Sequence, residues 1–89
     1  MYNNYLVEYI GTLFFIFTIL YTGSAIAIGL ALTIAIILGG KVSRSTNFNP
    51  AVTVVMAYAG KLPIKDVLPY IISQIAGGVT ALFLYKKIV

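Results

Sequence analysis

The chain has 89 residues, of which 61% are hydrophobic and only 9% are charged. A soluble domain normally keeps about a quarter of its residues charged. The six basic and two acidic residues are also unevenly distributed, because residues 9–40 and 67–85 contain none of them. Uncharged apolar runs of about 18 residues or more are typical of membrane-spanning helices. The composition therefore excludes a soluble globular domain and predicts an integral, multi-pass membrane protein that contacts the lipid bilayer.

The residue types that most enzyme and metal sites require are missing from the sequence. The chain has no His and no Cys, which excludes the usual zinc sites, thiol nucleophiles and His-based acid–base pairs. The two carboxylates, Glu8 and Asp66, are far apart in sequence. We therefore expect no enzyme, no catalytic residue, no metal site and no cofactor. The net charge of +4 does not indicate nucleic-acid binding, because the lysines stand beside apolar segments, where membrane helices usually carry them.

The first apolar stretch is too long for one membrane span and is expected to form two. At ~1.5 Å per residue, one helix over residues 6–43 would far exceed the ~30 Å hydrocarbon core. Residues 21–24 (YTGS) place an interfacial Tyr before residues that favour a turn. This pattern predicts one span over about residues 5–21 and a second over about residues 25–40, each near the lower limit of spanning length.

A polar loop and a short apolar helix are expected next, over about residues 41–59. The apolar stretch after Asn49 is too short to cross a bilayer. Gly60 can terminate it, and Pro63 can start the next helix. A third span is expected over about residues 63–87. The sequence thus predicts an all-α membrane protein with three transmembrane helices and one re-entrant half-helix.

The pair Asn49-Pro50 is a typical helix start. An Asn can cap free backbone N–H groups, and Pro at the first helical position loses no donor that the helix needs. Taken alone, the pair indicates no more than an ordinary helix cap. Between two spanning helices, however, a short helix that begins there would enter the membrane and stop partway, beside protein or a water-filled path. Its positive N-terminal end would oppose cations, and the Asn amide could donate to a passing solute.

Four segments in the same order resemble the aquaporin/glycerol-facilitator (major intrinsic protein) family. Residues 47–53 (NFNPAVT) are similar to the first of the family's two signature loops and contain Asn49, Pro50 and Ala51. The first, second and third helices of the family are matched by residues 8–12 (EYIGT), 27–31 (AIGLA) and 74–78 (QIAGG). Asn-Pro-Ala alone is weak evidence, whereas the ordered set covers nearly the whole chain and is specific.

The resemblance implies a fold made of two inverted repeats, of which this sequence matches one. The connection between the first two helices is shorter than usual in the family, and Asn47 stands where a His is common. Val52 follows the Asn-Pro-Ala, as in the first-half motif, whereas the second-half motif has an Arg that lines the selectivity filter. Ile28 falls where the filter commonly has an aromatic residue, which implies an apolar filter wall without an Arg.

Four more residues are candidates for supporting roles. Glu8 is either an interfacial charge or a buried acceptor, and the resemblance implies that it braces the backbone of the signature loop. Gln74 is expected to form an interhelical hydrogen bond in preference to contacting solute. Gly29 and Gly77 each lie in an i, i+4 series of small residues that allows close helix packing.

The expected function is a passive channel for water or small neutral solutes such as glycerol. One repeat cannot enclose a pore on the family's plan, so two or more chains are required, and an inverted homodimer would suffice. The positive-inside rule favours an N-terminus inside, although the basic residues of the two sides differ only mildly in number. The alternative is a non-conducting membrane protein, either a truncated relic or a subunit that needs a separately encoded second half.

Overall fold

Four helices make up the computed structural model, which describes residues 3–89. Helix α1 covers Asn4–Tyr21, α2 covers Ala25–Gly39, α3 covers Pro50–Tyr58 and α4 covers Ile64–Ile88. Within the described residues there is no β-strand. The predicted all-α fold class is confirmed, and the order of three longer helices with one short helix is consistent with one aquaporin-like repeat.

Side-chain caps determine where the first three helices begin. The Asn3 side chain accepts a hydrogen bond from the Leu6 backbone at 3.2 Å. The Ser24 hydroxyl oxygen accepts one from the Ala27 backbone, also at 3.2 Å. These contacts satisfy N–H groups that a helix start otherwise leaves without partners. The Ser24 cap also allows α2 to begin only a few residues after α1, since the Ser24 backbone in turn donates to the Thr22 hydroxyl oxygen at 3.1 Å.

The helices differ in whether they are long enough to cross a membrane. At ~1.5 Å per residue, α1 extends about 27 Å, close to the ~30 Å thickness of a hydrocarbon core, and α4 extends about 37 Å. Both are apolar and within the range of lengths that membrane-spanning helices have. Helix α2 has 15 residues and extends only about 22 Å. It ends at Gly39 with Gly40 as its C-cap, whereas the sequence pattern extended the second span through residue 40. Helix α3 has 9 residues and extends about 14 Å.

Helix α1 is the central element of the fold. It packs against both α2 and α4, and α3 packs against α4. Helices α1 and α4 approach each other closely at Gly77, where a side chain would collide with the Tyr9 carbonyl oxygen. Many large apolar side chains on the outer faces are exposed, while the interior holds several polar ones, among them Glu8 and Gln74. This distribution suits a lipid environment, in which apolar groups need not be buried in protein.

Candidate functional site

A buried carboxylate on α1 holds the loop that precedes the half-helix. Glu8 is completely buried. Its Oε2 accepts a hydrogen bond from the Asn47 backbone nitrogen at 2.9 Å, and its Oε1 accepts one from the Phe48 backbone nitrogen at 2.7 Å. The Gln74 side-chain nitrogen on α4 donates to Oε1 at 2.7 Å. Three donors therefore satisfy one carboxylate, which is the condition under which such a group is tolerated away from water.

The hydroxyl of Thr53 joins the loop, the half-helix and α4. Thr53 is fully buried, and its Oγ1 accepts hydrogen bonds from the side chains of Gln74 at 2.7 Å and Asn47 at 3.2 Å. The same hydroxyl donates to the Asn49 carbonyl at 3.1 Å. One donor and two acceptor positions are the full capacity of a hydroxyl group. The polar network therefore fixes the first turn of α3 against both long helices.

Phe48 adopts a left-handed backbone conformation, with φ of 58°. This conformation is uncommon for a residue with a bulky side chain and is maintained only when the surroundings impose it. Here the Glu8 carboxylate holds the backbone, and the Phe48 ring lies against Gly11 and Gly39. A Cβ at Gly11 would overlap the ring, and one at Gly39 would lie 3.3 Å from its Cζ atom. The two glycines therefore provide the space that this loop conformation requires.

The start of α3 presents polar groups at an exposed surface. Asn49 is exposed, and its side-chain oxygen accepts from the Ala51 backbone at 2.8 Å, with Pro50 as the first helical residue. The side-chain nitrogen of Asn49 has no hydrogen-bond partner among residues 3–89. The N-terminal end of a helix carries a partial positive charge. An exposed amide donor thus stands at an electropositive point of the surface.

Two backbone acceptors precede this donor in the chain, at residues 46 and 47. A trans peptide places its carbonyl opposite its N–H group. Because the N–H groups of Asn47 and Phe48 point to Glu8, the carbonyls of Thr46 and Asn47 point away from it. Neither carbonyl accepts a hydrogen bond from another described residue. The loop can therefore offer successive carbonyl oxygens and the Asn49 amide to a polar solute.

The remaining predicted site residues do not join this network. Ile28 is half-buried in the first turn of α2, roughly 16 Å along the helix axis from Gly39, which contacts the signature loop. A Cβ at Gly29 would meet no described atom within 4 Å. Gly29 therefore does not pack closely against another helix among residues 3–89. Gly77, in contrast, lies directly against the α1 backbone. Among residues 3–89 no group of three or more metal-ligating side chains comes together.

Comparison with known proteins identifies the family of this chain. The model of the major intrinsic protein family matches residues 1–89. This chain belongs to the major intrinsic protein family. The family resemblance seen in four short motifs therefore extends over the whole sequence.

Two individual members of the family are similar in sequence to this chain. The chain is 35% identical over 96 aligned residues to glycerol uptake facilitator protein-like 6 of Lactiplantibacillus plantarum, covering 98% of this chain and 44% of that protein. It is 42% identical over 62 residues to aquaporin Z of Brucella melitensis, covering 68% of this chain and 26% of that protein. The chain thus spans less than half the length of these curated relatives. No solved structure matches the chain at a significant level.

Sequence reasoning missed Thr53 as a member of the site of this major intrinsic protein. The sequence pattern includes it only as the last residue of the signature segment. A signal was present, because Thr53 stands four residues after Asn49, so that its hydroxyl can reach back to the Asn49 carbonyl across one helical turn. The role of the Asn47 side chain was missed as well. It donates to Thr53 and accepts from the Ser45 hydroxyl at 3.3 Å, contacts that depend on the folded loop and have no sequence signal.

Proposed function

We propose that this chain forms part of an aquaporin-like passive channel for water or small neutral solutes such as glycerol. Family membership and the names of the relatives, aquaporin Z and glycerol uptake facilitator, support this class of function. The observation that carries the proposal is the start of α3. There the exposed amide nitrogen of Asn49 has no partner among the described residues, and the two carbonyls shortly before it in the chain point away from Glu8.

In this proposal the half-helix selects against cations while admitting neutral molecules. Asn49 donates a hydrogen bond to the solute oxygen, and the loop carbonyls of Thr46 and Asn47 accept its hydrogens. The positive end of α3 opposes cations and protons at the same point. Ile28 supplies an apolar wall farther along the path, and Pro50 and Ala51 form the first turn that orients the helix. The absence of an Arg after Ala51 suits both water and glycerol.

The proposed channel is assembled from at least two chains in a multi-pass arrangement. Helices α1 and α4 cross the membrane, the shorter α2 crosses it together with its flanking residues, and α3 enters it partway. The N-terminus and the segment with Lys41, Arg44, Lys61 and Lys65 then share one side, opposite Lys86 and Lys87. A second chain in the inverted orientation would bring two half-helices together around one path. Gly29 is available for close packing against such a partner, because nothing within the described chain occupies the space beside it.

A second candidate function is a membrane subunit that conducts only with a separately encoded complementary half. Its support is the exposed Asn49 and the unoccupied space beside Gly29, which leave both available to another protein surface. The two candidates differ in one respect, namely whether identical copies of this chain are sufficient for flux.

Replacement of Asn49 by Asp tests the proposed selectivity. The new carboxylate retains an oxygen for the Ala51 backbone, but it places a negative charge at the positive end of α3. A unit charge about 4 Å away contributes about 4 kcal/mol at an effective dielectric constant of 20, which corresponds to about a thousandfold in rate at most. Cation leak through liposomes containing the variant should therefore rise by at least about tenfold. The matched control is Asn3→Asp, because Asn3 caps α1 in the same way and is exposed. Unchanged ion and water fluxes in Asn49→Asp would remove Asn49 from the mechanism.

A further inference from the structure

A polar cavity of about 510 Å³ lies next to the loop that precedes the signature segment, and its lining includes Ser45 and Tyr70. Three parts of the chain form it: the start of α1, the loop after α2, and the turn that leads into α4. The volume is within the range of small-molecule sites. Its charged lining consists of Arg44, Lys61, Lys65 and Asp66.

The two lysines of this cavity are not neutralised by its carboxylate. Asp66 accepts a hydrogen bond from the Tyr5 hydroxyl at 2.7 Å. Among residues 3–89, neither Lys61 nor Lys65 forms an ion pair with it. Both lysines are exposed and line the cavity. The lining therefore carries more positive than negative charge, and its one carboxylate is already hydrogen-bonded, which favours an anionic ligand.

Hydrogen bonds hold the backbone of the cavity lining in place. The Tyr70 hydroxyl donates to the Ser45 carbonyl at 2.8 Å, and the Arg44 backbone donates to the Asn4 side chain at 3.0 Å. In the turn before α4, the Lys61 backbone donates to the Met56 carbonyl of α3 at 2.9 Å. The backbone that positions the cations is thus fixed before any ligand arrives, which lowers the ordering cost of binding.

We propose that this cavity binds a phosphate group through Lys61 of the turn before α4 and Lys65 of its first helical turn, together with Arg44 of the loop after α2. Ammonium groups and a guanidinium fork are the side chains that proteins use for phosphate oxygens. The phosphate group belongs either to a free phosphate or to the headgroup of an anionic lipid, since both present the same oxygens. A bound phosphate bridges the loop before α3 and the turn after it, and so restrains both ends of the half-helix. Binding at this site does not depend on whether the chain conducts.

The test uses the purified full chain in nanodiscs of phosphatidylcholine and measures binding of radiolabelled inorganic phosphate by equilibrium dialysis at constant ionic strength. The double variant Lys61→Gln/Lys65→Gln removes two of the cavity charges. The matched control is Lys86→Gln/Lys87→Gln, which removes the same two charges roughly 30 Å away, at the other end of α4. Circular dichroism verifies that every variant is helical. A second arm replaces part of the phosphatidylcholine with phosphatidylglycerol and counts the lipids retained by native mass spectrometry.

Saturable phosphate binding that weakens about tenfold or more in the cavity variant, and is unchanged in the control, supports a site for free phosphate. Phosphatidylglycerol retention that is lost only in the cavity variant supports a lipid headgroup as the source. Equal losses in the two variants would show attraction by net charge alone and would overturn the proposal. An absence of both phosphate binding and phosphatidylglycerol preference in helical protein would overturn it as well.

Discussion

The Phe48 backbone nitrogen lies 2.7 Å from the Glu8 carboxylate, although the two residues are on different elements and 40 positions apart. This contact holds a left-handed residue immediately before Asn49, and so it determines where α3 begins and which way its first turn faces. The same carboxylate accepts from Gln74 on α4. One buried side chain therefore couples the helix bundle to the loop that carries the candidate pore residues.

Glu8→Gln is expected to destabilise the fold. An amide has one acceptor oxygen in place of two, so at least one of the three donors around Glu8 would face an NH₂ group. Leaving buried donors without partners should lower the free energy of unfolding by about 2–4 kcal/mol. Unfolding of the purified protein in mixed detergent micelles, followed by far-UV circular dichroism, measures the change.

Asp66→Asn is the matched control for that variant. It also converts a carboxylate into an amide, but the hydrogen bond that Asp66 accepts from the Tyr5 hydroxyl can still be accepted by an amide oxygen. Its effect should stay below about 1 kcal/mol. If both variants lost the same stability, Glu8 would not have the bracing role described above.

Gly77→Ala is expected to separate α1 from α4. The new methyl group would collide with the Tyr9 carbonyl oxygen and lie 3.2 Å from the Leu13 backbone nitrogen. Backbone atoms in the middle of a helix cannot rotate away, so the substitution should cost about 2–3 kcal/mol in the same unfolding assay.

The neighbouring glycine provides the comparison. A Cβ at Gly78 would lie 3.8 Å from an Ile16 side-chain carbon, which is an ordinary contact. Gly78→Ala should therefore be neutral or stabilise the helix by up to about 1 kcal/mol through its higher helix propensity. A Gly77→Ala variant as stable as Gly78→Ala would contradict the close crossing of the two helices.

The orientation of the chain in the membrane tests the proposed inverted homodimer. Four basic residues on the side of the N-terminus against two on the other side are a mild bias. The inverted homodimer predicts that both orientations occur in similar numbers, because each pair contains one chain of either orientation. Reporter tags attached at either end, assayed in cells, measure the two populations. Tags that always report a single orientation would exclude the antiparallel homodimer.

The fold class could be predicted from the sequence because it depends on composition and on short capping signals. The apolar runs without charge indicated helices, and local chemistry such as the Ser24 cap and the Asn49-Pro50 start marks where helices begin. Family resemblance added the pairing of Glu8 with the loop backbone. No periodicity or spacing in the sequence could have supplied that long-range contact.

Other features depend on the folded arrangement and could not be predicted. The left-handed conformation of Phe48 has no local signal, since nothing in its residue type favours a positive φ. It results from the Glu8 carboxylate and from the space above Gly11 and Gly39. The hydroxyl of Thr53 forms hydrogen bonds with Asn47 of the loop, Asn49 at the start of α3 and Gln74 of α4. The polar cavity likewise unites residues 4 and 70 with the loop between them, which only the tertiary structure brings together.

Osmotic shrinkage of liposomes that contain only this purified chain tests the central claim most directly. Empty liposomes are the control, and circular dichroism establishes that the reconstituted protein is helical. If identical chains form the proposed channel, shrinkage will be fast and only weakly dependent on temperature. Shrinkage at the rate of the empty liposomes, from protein verified as folded, would contradict the homo-oligomeric channel and leave the subunit that requires a complementary half.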